Sequence, residues 1–353
     1  MMEHLDRKEA IRRMAAISVA PFIAPKLILP GISEANNKYQ VPNVIVKKSP
    51  SFDPSSNLGI NVNPALVDCN AKFIKDLGAS WVRLVLNPHT DFGPYLRELE
   101  SVGLEAVCVI GQESIKVGDW NDENLLSSNQ FKLSAEYYAE KYSGYRFALQ
   151  IGNEPDNIPT EDRVESEASW WLYQEVFNNL LESYREVFTD RFLIAGGVCT
   201  GDSYYLDRVN LSHVNAFAVQ LYGVDTPEVS SNEGFTDAAS ALGRYKINLP
   251  VFITETGVNH LNYTDDEAVK YSFALLNYYI KRGIPIAYYC LSDLMHDDHG
   301  IFDKNGNPKP ILKSFLKVAW GEDVPIDSFH LNPVKEEVVE KEPVVQFTDF
   351  SSR

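Results

Sequence analysis

Cysteine is scarce in this chain of 353 residues: its four, Cys69, Cys108, Cys199 and Cys290, lie far apart with no C-x-x-C pair and no Cys/His finger spacing. That spacing argues against a structural zinc site, and three of the four, sitting in or beside apolar runs, read as small buried hydrophobes rather than disulfide partners. Glycine-rich phosphate loops are missing as well, since neither G-x-G-x-x-G nor G-x-x-x-x-G-K-[ST] occurs. Basic charge is in deficit, with 32 Lys and Arg against 49 Asp and Glu, a net charge of −17. Such a field repels nucleic-acid phosphates and anionic lipid surfaces and suits a neutral substrate. What remains is ordinary: 44% hydrophobic and 23% charged residues exclude collagen-like, fully disordered and multi-pass membrane classes.

The two ends differ from the middle. Arg7, Lys8, Arg12 and Arg13 precede an apolar stretch from Met14 to Pro25, and Ser33-Glu34-Ala35 offers a small-residue cleavage patch before Asn36. This is the layout of an export signal over 1–35, followed by a linker and barrel entry over 36–56. Asp6 to Arg12 loosely resembles a twin-arginine motif, with Arg-Lys in place of Arg-Arg. Pro21 and Pro25 interrupt the stretch, which is too short to span a bilayer core of roughly 30 Å, so no stable transmembrane anchor is expected. The alternative is an amphipathic N-terminal helix. At the other end, 321–353 reads as a largely flexible extension. From Leu331 onward it mixes Pro333 and Pro343 with a Glu/Lys/Val run.

Between the ends, short β-rich apolar runs alternate with segments of helical periodicity. Eight such runs stand out: 58–62, 81–86, 105–110, 147–151, 192–196, 216–221, 251–254 and 285–291. Asn63-Pro64 is expected to cap the first helix and Gly78 to close it. Thr264-Asp265-Asp266-Glu267 is a capping box for the seventh, with Lys281, Arg282 and Gly283 at its end. Eight βα units over 57–320 predict a single (β/α)8 barrel, an α/β fold whose usual length is roughly 250 residues. An open doubly wound sheet is the competitor, and the missing phosphate loop counts against it.

In a barrel, chemistry gathers where strands end. The fourth run ends Gly152-Asn153-Glu154-Pro155, and the seventh runs into Thr254-Glu255-Thr256-Gly257. Two carboxylates thus stand on one rim. Arg83 lies inside the apolar run Trp81-Val82-Arg83-Leu84, where a buried guanidinium needs an anionic partner. Tyr222 ends the sixth run, in reach of a neighbouring carboxylate.

The order of these motifs resembles the clan-A retaining glycoside hydrolases, (β/α)8 enzymes of the cellulase and β-glycosidase superfamily. The resemblance covers roughly 57–320. It implies that Glu154 is the acid/base and Glu255 the nucleophile, with Asn153, Arg83 and Tyr222 supporting them, and that no metal or cofactor takes part. The segment Gly300 to Pro310 is similar to the turn leading from strand eight into the last helix. One departure is clear: the tryptophan usual at the end of strand eight is missing from Ala287-Tyr288-Tyr289-Cys290-Leu291, where Tyr289, with Tyr288 as the alternative, is the expected stacking face.

These residues would support double displacement. Carboxylates about 5 to 5.5 Å apart, as retaining enzymes hold them, repel by roughly 3 kcal/mol at an effective dielectric near 20, so one of the two keeps a proton. Arg83 and Tyr222 favour charge on Glu255, which leaves the proton on Glu154. Among the rim aromatics Trp120 and Tyr263 are the expected subsite walls, and His89 is a candidate sugar ligand. His296-Asp297-Asp298-His299 could hold a divalent metal, but adjacent side chains seldom converge on one ion, and a polar rim loop is the preferred reading. The leading expectation is an exported, periplasmic or extracellular enzyme that hydrolyses β-linked poly- or oligosaccharide. A carbohydrate-binding barrel without turnover is the alternative.

Overall fold

The computed structural model describes residues 58–111, 113–121, 127–153, 174–198, 209–221, 249–258, 263–296 and 298–333. Eight parallel strands close into a barrel in chain order. They are β1 (Leu58–Asn61), β2 (Trp81–Leu86), β3 (Glu105–Ile110), β4 (Ala148–Ile151), β5 (Leu193–Val198), β6 (Ala216–Leu221), β7 (Val251–Thr256) and β8 (Ile286–Tyr288), the last pairing back onto β1. All eight predicted runs are strands of this barrel. β7 runs past Thr254 to include Glu255, whereas β8 stops at Tyr288 instead of reaching Leu291.

Strand alternation separates two cores. In β2, Val82, Leu84 and Leu86 join the apolar layer between sheet and helices, while Trp81 faces the barrel interior. There it meets Val107, Ala148, Ile194, Ala216, Ala218, Phe252 and Ala287, which form a separate cluster. Gly59 is required at this point, because a Cβ there would run into the Trp81 ring.

The described helices are α1 (Ala71–Asp76), α2 (Gly93–Ser101), α3 (Ser128–Lys141), α4 (Gln174–Val187), α5 (Asp265–Ile280) and α6 (Leu312–Trp320). The expected capping box on α5 forms: Thr264 N donates to Glu267 Oε2 at 2.9 Å and Glu267 N to Thr264 Oγ1 at 3.4 Å. Gly78 ends α1 with φ +86, the left-handed conformation that glycine adopts without strain. The start of α1 corrects the sequence reading. Asn70 caps it, accepting from Phe73 N at 2.8 Å, whereas the Asn63 side chain closes a turn on Ala65 N. An Asn-Pro pair suits a turn as well as a helix start, and here the short strand Val67–Asp68 intervenes.

That strand also corrects the reading of the C-terminal extension. Asn332–Pro333 pair with it in antiparallel fashion, and Leu331 is buried, its backbone N–H donating to the Gly306 carbonyl. Residues 334–353 lie outside the described set, as do 1–57, which contain the proposed export signal. Cys69, Cys108 and Cys290 are buried thiols, and burial pushes the last two up from their ordinary pKa. Cys199 lies outside the described residues. Among the described residues no helix is long and apolar enough to cross a membrane.

Candidate active site

At the C-terminal end of the barrel the interior turns polar. Side chains two residues apart on a strand share a face, so Asn61 follows Gly59, Arg83 follows Trp81, Gln150 follows Ala148 and Gln220 follows Ala218. Arg83, only 2% exposed, is the centre of this layer. Its Nε donates to Gln150 Oε1 at 2.9 Å. One terminal nitrogen donates to Asn61 Oδ1 at 2.7 Å and to Glu255 Oε1 at 2.5 Å, and the other to Asn153 Oδ1 at 2.5 Å. Four N–H groups of the guanidinium are thereby satisfied, and Glu255, 6% exposed, supplies the anion that burial demands.

The donor polarity of Arg83 propagates through its neighbours. Arginine has no acceptor, so each amide that touches it must turn its oxygen inward and its NH2 away. Asn61 Nδ2 then donates to the carbonyls of Thr254 and Tyr288 at 3.0 and 3.3 Å. Gln150 Nε2 donates to the carbonyls of Gly152 and Gly196 at 2.9 and 2.8 Å. Gln220 Nε2 adds a second donor to Asn153 Oδ1 at 2.7 Å.

Glu255 reaches this layer through a bulge. On β7, Phe252 faces the interior and Ile253 the helices, so strict alternation would turn Glu255 outward. Val219 pairs with Ile253, but the next residue, Gln220, pairs with Glu255, which makes Thr254 the extra residue. The register to β8 shifts over the same stretch. One inserted residue reverses the phase and aims the carboxylate at Arg83, a recurrent use of bulges.

Beyond Glu255, the Tyr289 N–H donates to the Thr256 carbonyl at 2.6 Å. Gly257 is needed for that approach, since a Cβ there would collide with the Tyr289 carbonyl oxygen. The half-buried Tyr289 ring sits 5.9 Å from the His296 ring and 6.2 Å from that of His299. The two imidazoles meet edge to face, 4.6 Å apart. The loop is clamped from behind by Asp293, which accepts from Lys309 Nζ at 2.9 Å on both oxygens and from Gly300 N at 2.7 Å. As the sequence implied, Gly300 to Pro310 forms the turn into α6, with Phe302 bridging Ser292 and Pro308.

Of the other expected site residues, Glu154 and Tyr222 lie outside the described residues, as does Asp297. Trp120 is exposed beyond β3, with Lys116 Nζ 4.8 Å from its ring centroid. The Tyr263 ring lies tilted against that of Tyr271 of α5, with centroids 5.0 Å apart, and packs against the edge of the core. His89 is exposed in a turn closed by Asn87, without a hydrogen bond to the Arg83 layer. Among the described residues no three His, Cys, Asp or Glu side chains converge as metal ligands. Sequence reading overlooked Asn61, Gln150 and Gln220. The signal was the one that exposed Arg83: a polar side chain inside an apolar strand must find partners.

No protein-family model and no curated protein matches the chain. Solved structures do resemble it. Cel5A of Thermotoga maritima, crystallised as a mutant with cellobiose substrate, superposes with a TM-score of 0.52 at 18% identity, over 75% of this chain and 97% of its own. The endoglucanase Cel5A of Pseudomonas stutzeri gives 0.55 at 13%, over 78% and 97%. A monomeric β-xylosidase from Caulobacter crescentus gives 0.54 at 12%, over 76% and 69%. With eight parallel strands closed in chain order, this protein has a (β/α)8 barrel fold, the likeness it shares with these solved structures.

Proposed function

We propose that this protein is an exported retaining glycoside hydrolase that cleaves β-linked poly- or oligosaccharide by double displacement. One observation carries the reading: in a water-poor layer at the C-terminal end of the barrel, Arg83 binds Glu255 and Asn153 at once. A carboxylate paired with a buried guanidinium, beside an amide on the neighbouring rim, is what a glycosidic carbon requires of its nucleophile side. The glycoside hydrolases among the structural neighbours support the same chemistry.

In this reading Glu255 attacks the anomeric carbon while Glu154, one residue beyond Asn153, gives its proton to the departing oxygen. A glycosyl ester on Glu255 results. Glu154, now a carboxylate, takes a proton from water, which attacks the same carbon and releases Glu255 with the anomeric configuration retained. Attack through Oε2 leaves the Arg83 bond to Oε1 intact. Tyr222 supports the charge on Glu255, Tyr289 offers the sugar a stacking face, and Trp120 offers one farther out. The net charge of −17 favours neutral polymers such as glucan, mannan or xylan.

The test is an assay for new reducing ends on soluble β-glucans, mannans and xylans, with the anomer of the first product read by NMR. Glu255→Gln and Glu154→Gln are each expected to lower kcat at least about a thousandfold, in line with the loss of an essential nucleophile or acid. Wild-type rates in either variant, or an inverted product, would refute the assignment. A wild-type protein that is retarded in affinity gels but releases nothing is the non-hydrolytic carbohydrate binder.

A further inference from the structure

Three amides surround Arg83, and each turns its oxygen toward the guanidinium. Two of them spend their NH2 groups on backbone carbonyls, Asn61 on Thr254 and Tyr288, Gln150 on Gly152 and Gly196. Asn153 differs in two ways. Its Oδ1 accepts twice, from Arg83 and from Gln220, and its side chain is the half-exposed one of the three. Its Nδ2 donates to none of the described residues.

We infer that Gln220 is a positioning residue which, together with Arg83, locks the Asn153 amide so that only its NH2 faces the substrate. The lock follows from donor and acceptor counting. Arg83 can only donate, so the Asn153 atom against it is oxygen. The Gln220 atom against that oxygen must then be its NH2. Gln220 is itself fixed, being 1% exposed within β6 and paired in register with Glu255. Its Oε1, buried with no hydrogen-bond partner among the described residues, shows that β6 keeps a glutamine here at some cost. A leucine would fill the same space without that penalty. Substrate recognition at this point is thus donor-only: Asn153 selects a sugar oxygen that can accept, and the hydroxyl proton must go elsewhere.

This inference deepens the proposed glycosidase site and rests on it for its kinetic arm. The experiment compares wild type, Gln220→Leu, Gln220→His, Asn153→Ala and the double variant Asn153→Ala/Gln220→Leu on two aryl β-glycosides. One carries the 2-hydroxyl and the other is its 2-deoxy analogue. Gln220→Leu should lose roughly ten- to a hundredfold in kcat on the hydroxylated substrate, the range for one hydrogen bond that tightens in the transition state. It should lose little on the deoxy substrate and little more in the Asn153→Ala background, and Gln220→His, which restores a donor, should recover activity. Equal losses on both substrates, or additive losses in the double variant, would overturn the inference and mark Gln220 as merely structural.

The orientation itself has a readout independent of turnover. The side-chain 15N–1H amide pair of Asn153, identified by its disappearance in Asn153→Asp, should shift in Gln220→Leu. An unshifted pair overturns the inference. A shifted pair in a protein that cleaves no glycoside keeps the positioning role and removes only the enzymatic reading.

Discussion

Two halves of the barrel interior share strands, their side chains two residues apart except on β7, where the bulge makes it three, and they obey different rules. In the N-terminal half Trp81, Val107, Ala148, Ile194, Ala216, Ala218, Phe252 and Ala287 pack as hydrocarbon, with Gly59 making room for the indole. In the C-terminal half Asn61, Arg83, Gln150, Gln220 and Glu255 replace volume matching with donor and acceptor matching. The first half can be repacked if total volume is kept. The second hangs on Arg83, whose loss would orphan Glu255 and the amide oxygens of Asn61 and Gln150.

The comparison breaks most sharply at Arg83. Arg83→Met should cost about 3–5 kcal/mol in urea unfolding, the usual result of leaving a buried carboxylate without its partner. The same variant should lose nearly all of the proposed glycosidase activity. If it proves as stable as wild type, the polar half is not a unit. Gly59→Ala probes the other half: its Cβ meets the Trp81 ring, and overpacking should cost about 1–3 kcal/mol. Activity per folded molecule should stay at the wild-type level, because no partner of Glu255 moves. Next in size is Trp120→Ala, outside both halves. It should raise KM about two- to tenfold on long oligosaccharides, with kcat and short substrates unaffected, as expected when a distal subsite is deprived of its stacking ring.

The smallest effect serves as a control on the helical shell. The Thr264 backbone N–H, and then its hydroxyl, hold the Glu267 carboxyl below its usual value. A depressed carboxylate stabilises the fold above its unfolded pKa and loses that contribution as pH falls through the folded one. Glu267→Gln should therefore lower Tm slightly at neutral pH, and the difference should close below about pH 4. A gap that persists in acid would show that the charge is not what the capping box contributes.

Much of the fold was legible because barrel strands are apolar runs of limited length between helices with distinct caps. β2, β3 and β6 occupy their predicted spans. Arg83 was legible for the same reason: a charge inside a run such as Trp81 to Leu86 is too costly to stand alone. Gln150 and Gln220 sent a weaker form of that signal, since a neutral amide in a strand is less expensive than a charge and is easily passed over. The pairing of Asn332–Pro333 with Val67–Asp68 had no local signature. It depends on Gly306 letting the chain at Leu331 come close, an approach between residues that are far apart in sequence until the barrel exists.

The amino-acid order alone determined the number and sequence of βα units, and with them the rim on which Glu255 and Asn153 would stand, because periodicity and capping act over a few residues. Which way those side chains point was decided only in three dimensions. The bulge at Thr254 that turns Glu255 inward exists only against the ladders of β6 and β8, and the Asn153 amide is oriented by donors on β2 and β6. Register and hydrogen-bond direction are properties of pairs, and a single strand carries neither.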